Sequence, residues 1–230
     1  SGQLEMTDLL RSSISAGKNT LICAPTGYGK TASALYAALL VAYQTGKKIF
    51  YATARTTQQQ MAEDTIELMA ARGMPVRAIS IRARDKICLN TQVVCHKDSC
   101  PYAQQYHDKI QASDLFDQAW SKGTPTGVAW PASIVEIAEN HQICPFAFGM
   151  DLAARADIVI GDYNYLYDPR IRLQIIANNP DDWICIVDEA HNLPSRAMEY
   201  GSPKVSFSHA WLALERTQFV DPTLATPMRK

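Results

Sequence analysis

The chain of 230 residues is 47% hydrophobic and carries a formal net charge of −1 at pH 7. These values place it in the ordinary globular range and exclude a global polycation as the basis for nucleic-acid binding. No apolar run approaches the roughly 20 residues that a membrane span needs, so we expect no membrane partner. Residues 1–20 lack the pattern of a signal peptide, although the chain begins as an excerpt of a longer protein would.

The apolar residues predict strands and helices in alternation. The expected strands are 20–24, 48–53, 76–81, 157–161 and 183–187, and the expected helices are 4–16, 32–43 and 57–71. Short apolar runs that end in turn residues are typical of buried parallel strands. Strands that alternate with helices indicate right-handed crossovers, so the predicted fold class is α/β, with a parallel sheet and helices on both faces.

One long segment interrupts this alternation. Residues 86–149 contain four of the six cysteines, three of the five histidines and the turn-rich run at 121–127. We interpret 86–149 as a mainly helical subdomain inserted into a sheet domain that comprises 1–85 and 150–195. In a reducing compartment its cysteines are expected to be ligands more often than disulfides.

The run A-P-T-G-Y-G-K-T at 24–31 predicts a phosphate-binding loop. A loop that leads from a strand into a helix presents unpaired N–H groups at the positive end of the helix. Lys30 would reach the β- and γ-phosphates of ATP, and the Thr31 hydroxyl would bind Mg²⁺. The generic pattern begins with glycine, whereas this run begins with alanine. The candidate nucleotide-binding residues are Ala24, Pro25, Thr26, Gly27, Tyr28, Gly29, Lys30 and Thr31.

A second motif, D-E-A-H at 188–191, follows the apolar run 183–187. Asp188 could hold Mg²⁺ opposite Thr31, and Glu189 is suited to polarise the attacking water. His191 completes the candidate catalytic set without an obvious hydrolytic task. Taken alone, the motif could be an acidic helix N-terminus, which the helix dipole favours. Together with the loop at 24–31 it indicates an ATP hydrolase.

These two motifs resemble motifs I and II of the superfamily 2 helicases, and the resemblance implies a RecA-like fold. Y-A-T-A-R-T at 51–56 is similar to motif Ia, which follows the tracking DNA strand in that family. The resemblance therefore implies DNA contacts from Thr53 and Arg55. Gln3 resembles a glutamine that contacts adenine in related enzymes.

The six cysteines fall into two groups. Cys23 and Cys185 lie in predicted strands and are interpreted as small buried apolar residues. Cys88, Cys95, Cys100 and Cys144 have the spacing C-x6-C-x4-C-x43-C. Spacing alone leaves three interpretations open: an iron–sulfur cluster, which tolerates irregular spacing, a zinc site, which prefers closer pairs, or no metal.

Four cysteines between motifs Ia and II resemble the iron–sulfur helicases similar to XPD and DinG. That resemblance implies a [4Fe–4S] cluster bound by the four cysteines of 86–149. Arg84 resembles the basic residue that precedes the first cluster cysteine, and we expect Arg84 and Lys86 to contact DNA. The segment 156–172 is also similar, and the resemblance extends to about residue 195.

The resemblance implies an ATP-dependent DNA helicase that moves 5′ to 3′ on single-stranded or forked DNA during repair or related processes. Such a protein would act as a monomer, would contact repair-complex proteins, and would be nuclear in a eukaryote or cytoplasmic, at the nucleoid, in a bacterium or archaeon. The alternative is a metal-stapled nucleic-acid-binding ATPase switch that does not unwind DNA.

Three further expectations concern the periphery of this motor. Residues 196–230 are interpreted as the start of an arch-like insertion, and the second motor domain is expected to be absent, so the chain alone would bind ATP but unwind nothing. The basic residues between Arg72 and Lys97 are a solvated face or a set of phosphate contacts. Tyr163 and Tyr165 are expected to pack in the core or at an interface rather than to stack on bases.

Overall fold

The structure, a computed structural model, describes residues 2–25, 27–93, 95–96, 98–121, 127–202, 206–208 and 210–212. The strands are β1 Lys48–Thr53, β2 Ala78–Ser80, β3 Val128–Ala129, β4 Ile158–Asp162 and β5 Trp183–Val187. The helices are α1 Gly2–Ser15, α2 Lys30–Thr45, α3 Thr56–Ala71, α4 Arg84–Ile87, α5 Tyr106–Gln111, α6 Leu115–Ser121, α7 Pro131–Asn140, α8 Pro145–Arg155, α9 Asn164–Tyr167, α10 Gln174–Ala177 and α11 Leu193–Gly201. Pro180–Asp182 and Ala190–Asn192 form 3₁₀ turns.

The strands form one sheet in the order β3-β2-β4-β1-β5, and every pairing is parallel. In the centre, Tyr51 of β1 lies opposite Ile160 of β4 and Ile186 of β5. The predicted α/β class is confirmed. Because parallel strands end at one edge of the sheet, the segments that follow β1, β4 and β5 are neighbours in space.

The main core lies between the sheet and helices α2 and α3. Leu35 and Ile66 are fully buried there against Ile49 and Ile158 of the sheet. Side chains alternate between the faces of a strand, so Phe50 and Val159, which are also fully buried, belong to the opposite face. Each fully buried aliphatic or aromatic side chain stabilises the fold by about 1.5–3 kcal/mol. The core therefore fixes the sheet edge independently of any ligand.

Most element predictions agree with the structure. Strands 48–53 and 183–187 coincide with β1 and β5, and helices α1, α2 and α3 occupy the expected positions within two residues at each end. The strand expected at 76–81 is shorter, and the one expected at 157–161 begins one residue later. Short β3 comes from within 86–149 and pairs with β2, and α8 runs through the expected boundary at 149/150.

The strand prediction for 20–24 is wrong. Residues 18–25 form no helix or strand, and the Leu21 side chain is 88% exposed. Cys23 is exposed as well, which corrects its interpretation as a buried residue. A five-residue apolar run becomes a strand only where a partner strand accepts it, and that choice is made by tertiary contacts.

Cys185 is also exposed rather than buried. It lies in β5, which ends the described sheet, and it points to the face opposite Ile184 and Ile186. An apolar sequence context therefore did not ensure burial at the edge strand.

The chain divides into two units, residues 1–191 and residues 192–230. In the second unit α11 is the longest described helix, and most of the segment 196–230 lies outside the described residues, so its interpretation as an arch-like insertion stays a prediction. In the part of the chain that the structure describes, no helix combines the length and the apolar character needed to cross a membrane.

Candidate functional site

The carboxyl ends of β1, β4 and β5 form the centre of the candidate site. The Asp188 N–H donates to the Ala52 carbonyl oxygen at 2.9 Å, and the Tyr163 N–H donates to the Thr53 carbonyl oxygen at 3.2 Å. These bonds extend the pairing of the strands beyond their ends. Ligands of open parallel sheets generally bind at this edge.

The candidate phosphate loop enters α2 through two glycines in the left-handed region. Gly27 and Gly29 both have φ of +78°, a conformation that a side chain disfavours. Gly29 is the N-cap of α2 and supplies no side-chain hydrogen bond, so the N–H groups of the first turn remain available to an anion. Tyr28 is 40% exposed, and Thr26 lies outside the described residues.

Lys30 folds back on its own loop. Its Nζ donates to the carbonyl oxygens of Ala24 at 2.8 Å and Pro25 at 3.0 Å. These bonds bring the ammonium group next to the turn that the sequence assigns to phosphate. An incoming phosphate oxygen could replace the two carbonyl oxygens as the acceptor.

Gln3 lies beside the loop although the two are separated by more than twenty residues. A β-carbon at Gly29 would stand 2.5 Å from the Gln3 Nε2 atom, and the Ser33 hydroxyl donates to the Gln3 carbonyl oxygen at 3.5 Å. Helix α1 reaches this position because it packs on α2. The structure therefore brings the candidate adenine-binding residue to the candidate phosphate loop.

Tyr51 joins the loop to the acidic motif, and sequence reasoning missed this role. Its side chain is 1% exposed, and its hydroxyl donates to the Thr31 Oγ1 atom at 3.5 Å. Burial, followed by the nearby Asp188 carboxylate, raises the pKa of Tyr51 well above its usual value. The hydroxyl therefore stays protonated beside both candidate magnesium ligands. The tyrosine was visible at the start of the motif Ia run, but its direction could not be deduced before the strand order was known.

The acidic motif forms a tight turn after β5. The Asp188 Oδ1 atom accepts the Glu189 N–H at 3.0 Å. Glu189 has φ of +51°, and its Oε2 atom lies 3.3 Å from the His191 Nδ1 atom. The Tyr163 hydroxyl donates to the Asp188 carbonyl oxygen and, at 3.1 Å, to the Glu189 carbonyl oxygen. Buried Tyr163 thus secures the backbone of the turn.

The four cysteines of 86–149 are not gathered around one point. Cys100 is buried, Cys88 and Cys144 are partly buried, and Cys95 is exposed. Helix α4 ends before Cys88, α8 begins after Cys144, and these two helices are in contact. Within the described ranges, no three His, Cys, Asp or Glu side chains are arranged to hold one metal ion.

The candidate DNA-binding residues differ in exposure. Arg55 and Lys86 are exposed, and the Arg84 guanidinium lies 4.7 Å from the centre of the Phe146 ring. The Thr53 side chain is fully buried, and its hydroxyl donates to the Arg55 carbonyl oxygen at 3.2 Å. In this arrangement the Thr53 side chain is therefore not accessible to DNA.

Arg82 does not belong to a solvated face. Its guanidinium donates to the Glu63 carboxylate and the Ser80 hydroxyl, at 2.8 and 2.6 Å, and also to the Gln59 side chain. The Arg82 side chain is 15% exposed and the Glu63 side chain 3%. This buried ion pair ties α3 to the segment that leads into α4.

Tyr165 packs inside the protein, as Tyr163 does. It is 6% exposed, and its hydroxyl donates to the Arg82 carbonyl oxygen at 3.1 Å. The expectation that both tyrosines pack in the core rather than stack on bases is confirmed.

Known proteins that resemble this chain include a family and several individual relatives. The DEAD_2 family model matches residues 51–210. The chain is 31% identical over 190 residues to the Fanconi anemia group J protein homolog of Gallus gallus, over 75% of this chain and 14% of that protein. It is 26% identical over 180 residues to the regulator of telomere elongation helicase 1 homolog of Anopheles gambiae, over 75% of this chain and 18% of that protein. The chain thus spans less than a fifth of these two relatives.

Two solved structures share the fold. One, described as XPD_Helicase, is 17% identical to this chain and superposes on it with a TM-score of 0.60. The match covers 98% of this chain and 39% of the XPD_Helicase chain. Another, described as truncated XPD, is 15% identical and also superposes with a TM-score of 0.60. This match covers 91% of this chain and 58% of the truncated XPD chain. The resemblance to XPD-like superfamily 2 helicases is confirmed, and, because the family model matches more than half of its residues, the chain belongs to the DEAD_2 family.

Proposed function

We propose that this chain is the ATP-binding first motor domain of an ATP-dependent DNA helicase that moves 5′ to 3′ on single-stranded or forked DNA. The main support is the position of the buried Tyr51 hydroxyl, which lies between Thr31 of the phosphate loop and Asp188 of the acidic motif. Residues that are more than 150 positions apart thereby lie close to one buried hydroxyl, which supports their assignment to one site. Membership of the DEAD_2 family supports the same assignment.

The residues divide the work of hydrolysis in a simple way. Gly27, Gly29 and Lys30 would hold the phosphates, and Gln3 would contact adenine. Thr31 and Asp188 would hold Mg²⁺, which neutralises the charge on the phosphates. Glu189 would accept a proton as a water oxygen bonds to the γ-phosphorus and the bond to the ADP oxygen breaks, which releases ADP and phosphate. His191 would orient Glu189, since the two side chains lie 3.3 Å apart.

The test compares Lys30→Ala with Lys47→Ala in the full-length protein that contains this chain. Lys47 is exposed and lies between α2 and β1, so its replacement controls for the loss of a positive charge. We expect Lys30→Ala to abolish ATP hydrolysis and unwinding and to leave DNA binding largely intact, whereas Lys47→Ala should retain all three. Equal loss of hydrolysis and DNA binding in Lys30→Ala would contradict the assignment, as would full hydrolysis.

The same assays separate the motor from the alternative of an ATPase switch. A motor moves along DNA while it hydrolyses ATP, so the wild-type protein should displace a strand from a forked duplex. Hydrolysis without translocation would favour the switch. The 230 residues alone are expected to hydrolyse ATP poorly, because in such motors an arginine from a second domain supplies much of the acceleration.

We propose that Cys88, Cys95, Cys100 and Cys144 bind a [4Fe–4S] cluster. Four thiols suit this group chemically, and two of them adjoin helices that are in contact. The described arrangement does not bring three of the thiols together, so binding would require the cysteines to move closer to one another. About four iron and four sulfide per chain are expected after anaerobic purification, fewer in Cys144→Ser, and no change in the control Cys23→Ser. One zinc and no sulfide would contradict the cluster.

Arg55, Arg84 and Lys86 are the proposed DNA contacts. Each phosphate contact that is lost should lower the salt dependence of DNA binding by about one unit of slope, whatever the DNA sequence. An unchanged slope in Lys86→Ala would remove Lys86 from the set.

The matched relatives named above come from animals, so we propose a nuclear protein that acts as a monomer and contacts repair-complex proteins.

A further inference from the structure

Tyr163 contacts two parts of the proposed motor at once. It follows β4 directly and is fully buried. Its backbone N–H donates to the Thr53 carbonyl oxygen at the end of β1, at 3.2 Å. On the other side its hydroxyl donates to the carbonyl oxygens of Asp188 and Glu189 after β5. One buried residue therefore joins the ends of three strands.

The hydroxyl of Tyr163 contacts a turn in which one residue has a left-handed backbone conformation. Glu189 has φ of +51°, a left-handed conformation that residues with a side chain adopt rarely. The direction of the Glu189 carboxylate depends on this backbone conformation. The Tyr163 hydroxyl donates to the carbonyl oxygens of the two peptide groups that flank the Glu189 α-carbon, and this contact restricts how far the turn can rotate.

The backbone contact of Tyr163 connects it with a proposed DNA-binding residue. Its acceptor, Thr53, also donates its side-chain hydroxyl to the Arg55 carbonyl oxygen at 3.2 Å. Arg55 is exposed and is one of the proposed DNA contacts. A short run of hydrogen bonds therefore connects Arg55, through Thr53 and Tyr163, with the turn that carries Glu189.

We propose that Tyr163 is a positioning residue that orients Glu189 and transmits DNA contact at Arg55 to the hydrolytic turn. This inference rests on the proposed function and assigns it a coupling element. Energetic coupling is the change that DNA binding makes to hydrolysis, so the test measures the response to DNA as well as the rate.

Tyr165 offers a matched control. It lies two residues further along, is also buried, and has a hydrogen-bonded hydroxyl. Its acceptor is the Arg82 carbonyl oxygen rather than the turn at 188–189. Replacement by phenylalanine removes one buried hydroxyl at either position and keeps the ring, so any difference between the two variants reflects the partner that was lost.

The experiment measures steady-state ATP hydrolysis by the full-length protein with and without single-stranded DNA, in Tyr163→Phe, Tyr165→Phe and wild type. We expect Tyr163→Phe to lower kcat about 10- to 100-fold, as a slightly misplaced catalytic group does. Its KM for ATP should not change, and its stimulation by DNA should fall. Tyr165→Phe should match the wild type in kcat, KM and stimulation.

Four outcomes would contradict either the role of Tyr163 or the proposed function. Wild-type kcat and stimulation in Tyr163→Phe would overturn the inference. A lower kcat with undiminished stimulation would overturn the link to DNA. Loss of ATP affinity together with kcat would indicate a structural role and also overturn it. A wild-type protein without DNA-stimulated hydrolysis would instead contradict the proposed function.

Discussion

The carboxyl edge of the sheet and the cysteine-bearing segment 88–100 are organised differently. At the sheet edge, buried Tyr51 and Tyr163 hold the neighbouring groups through hydrogen bonds. Among the described residues between Ile87 and Tyr106 there is no helix or strand, and the cysteines there range from buried to exposed. A site built on a packed sheet is preorganised by the core, whereas a site in irregular chain depends on its ligand for order.

Glu189→Gln tests the preorganised edge most directly. The amide keeps the size of the side chain but cannot accept a proton, so we expect kcat to fall about 10²- to 10⁴-fold, while ATP binding persists. Glu5→Gln, an exposed change on α1, is the control for the loss of a carboxylate. Steady-state hydrolysis and equilibrium ATP binding by the full-length protein provide the measurements. Retention of more than a tenth of the rate would remove Glu189 from the catalytic set.

Glu63→Ala tests the ion pair that joins α3 to the segment that leads into α4, between the two regions in the chain. It leaves the Arg82 guanidinium without its carboxylate partner in a largely buried position, and we expect a loss of about 3–5 kcal/mol in the free energy of unfolding. Asp64→Ala, an exposed neighbour on α3, should change it by about 0.5 kcal/mol or less. Urea titration measures the free energy of unfolding of each variant.

The double variant Glu63→Ala/Arg82→Met completes this cycle with the wild type and the two single variants. Removal of both charges should restore part of the stability that Glu63→Ala loses, because no unpaired guanidinium remains. If the losses of the single variants simply add, the ion pair does not connect α3 energetically to the segment that leads into α4.

Leu35→Ala and Val93→Ala compare the packing of the two regions. Leu35 is completely buried between α2 and the sheet, whereas Val93 is 47% exposed. Leu35→Ala should lower the free energy of unfolding by about 2–5 kcal/mol, and Val93→Ala by about 0.5 kcal/mol or less. Both are measured without added metal. Similar losses would mean that the cysteine-bearing segment is as tightly packed as the sheet.

The smallest expected effect concerns pH. Hydrogen bonds from Arg170 hold the pKa of the buried Asp168 below its usual range. A lowered pKa means that Asp168 adds stability above its unfolded-state pKa of about 3.9 and loses this contribution as the pH falls through the folded-state pKa. Arg170→Ala should therefore lower the melting temperature at pH 7 and have progressively less effect below about pH 4. A difference that is constant with pH would contradict the role of this pair.

Local patterns predicted a large part of the fold. The run 48–53 became β1 and 183–187 became β5, because a short apolar run bounded by turn residues carries its strand signal locally. The run 20–24 has the same pattern but is exposed or partly exposed along its length and forms no strand. The difference lies in whether a neighbouring strand is available, and the residues of the run do not determine this.

For the site, the sequence alone was enough to predict chemistry that depends on neighbouring residues: glycines next to Lys30 and Thr31, and two carboxylates after an apolar strand. Only the tertiary structure decided the contacts of Tyr51 with Thr31, the contacts of Tyr163 with the turn after β5, and the burial of Thr53. These depend on the order β4-β1-β5, which places residues far apart in the chain at one edge. Periodicity indicates which residues form a strand, but pairing between strands is determined by the packing of the whole core.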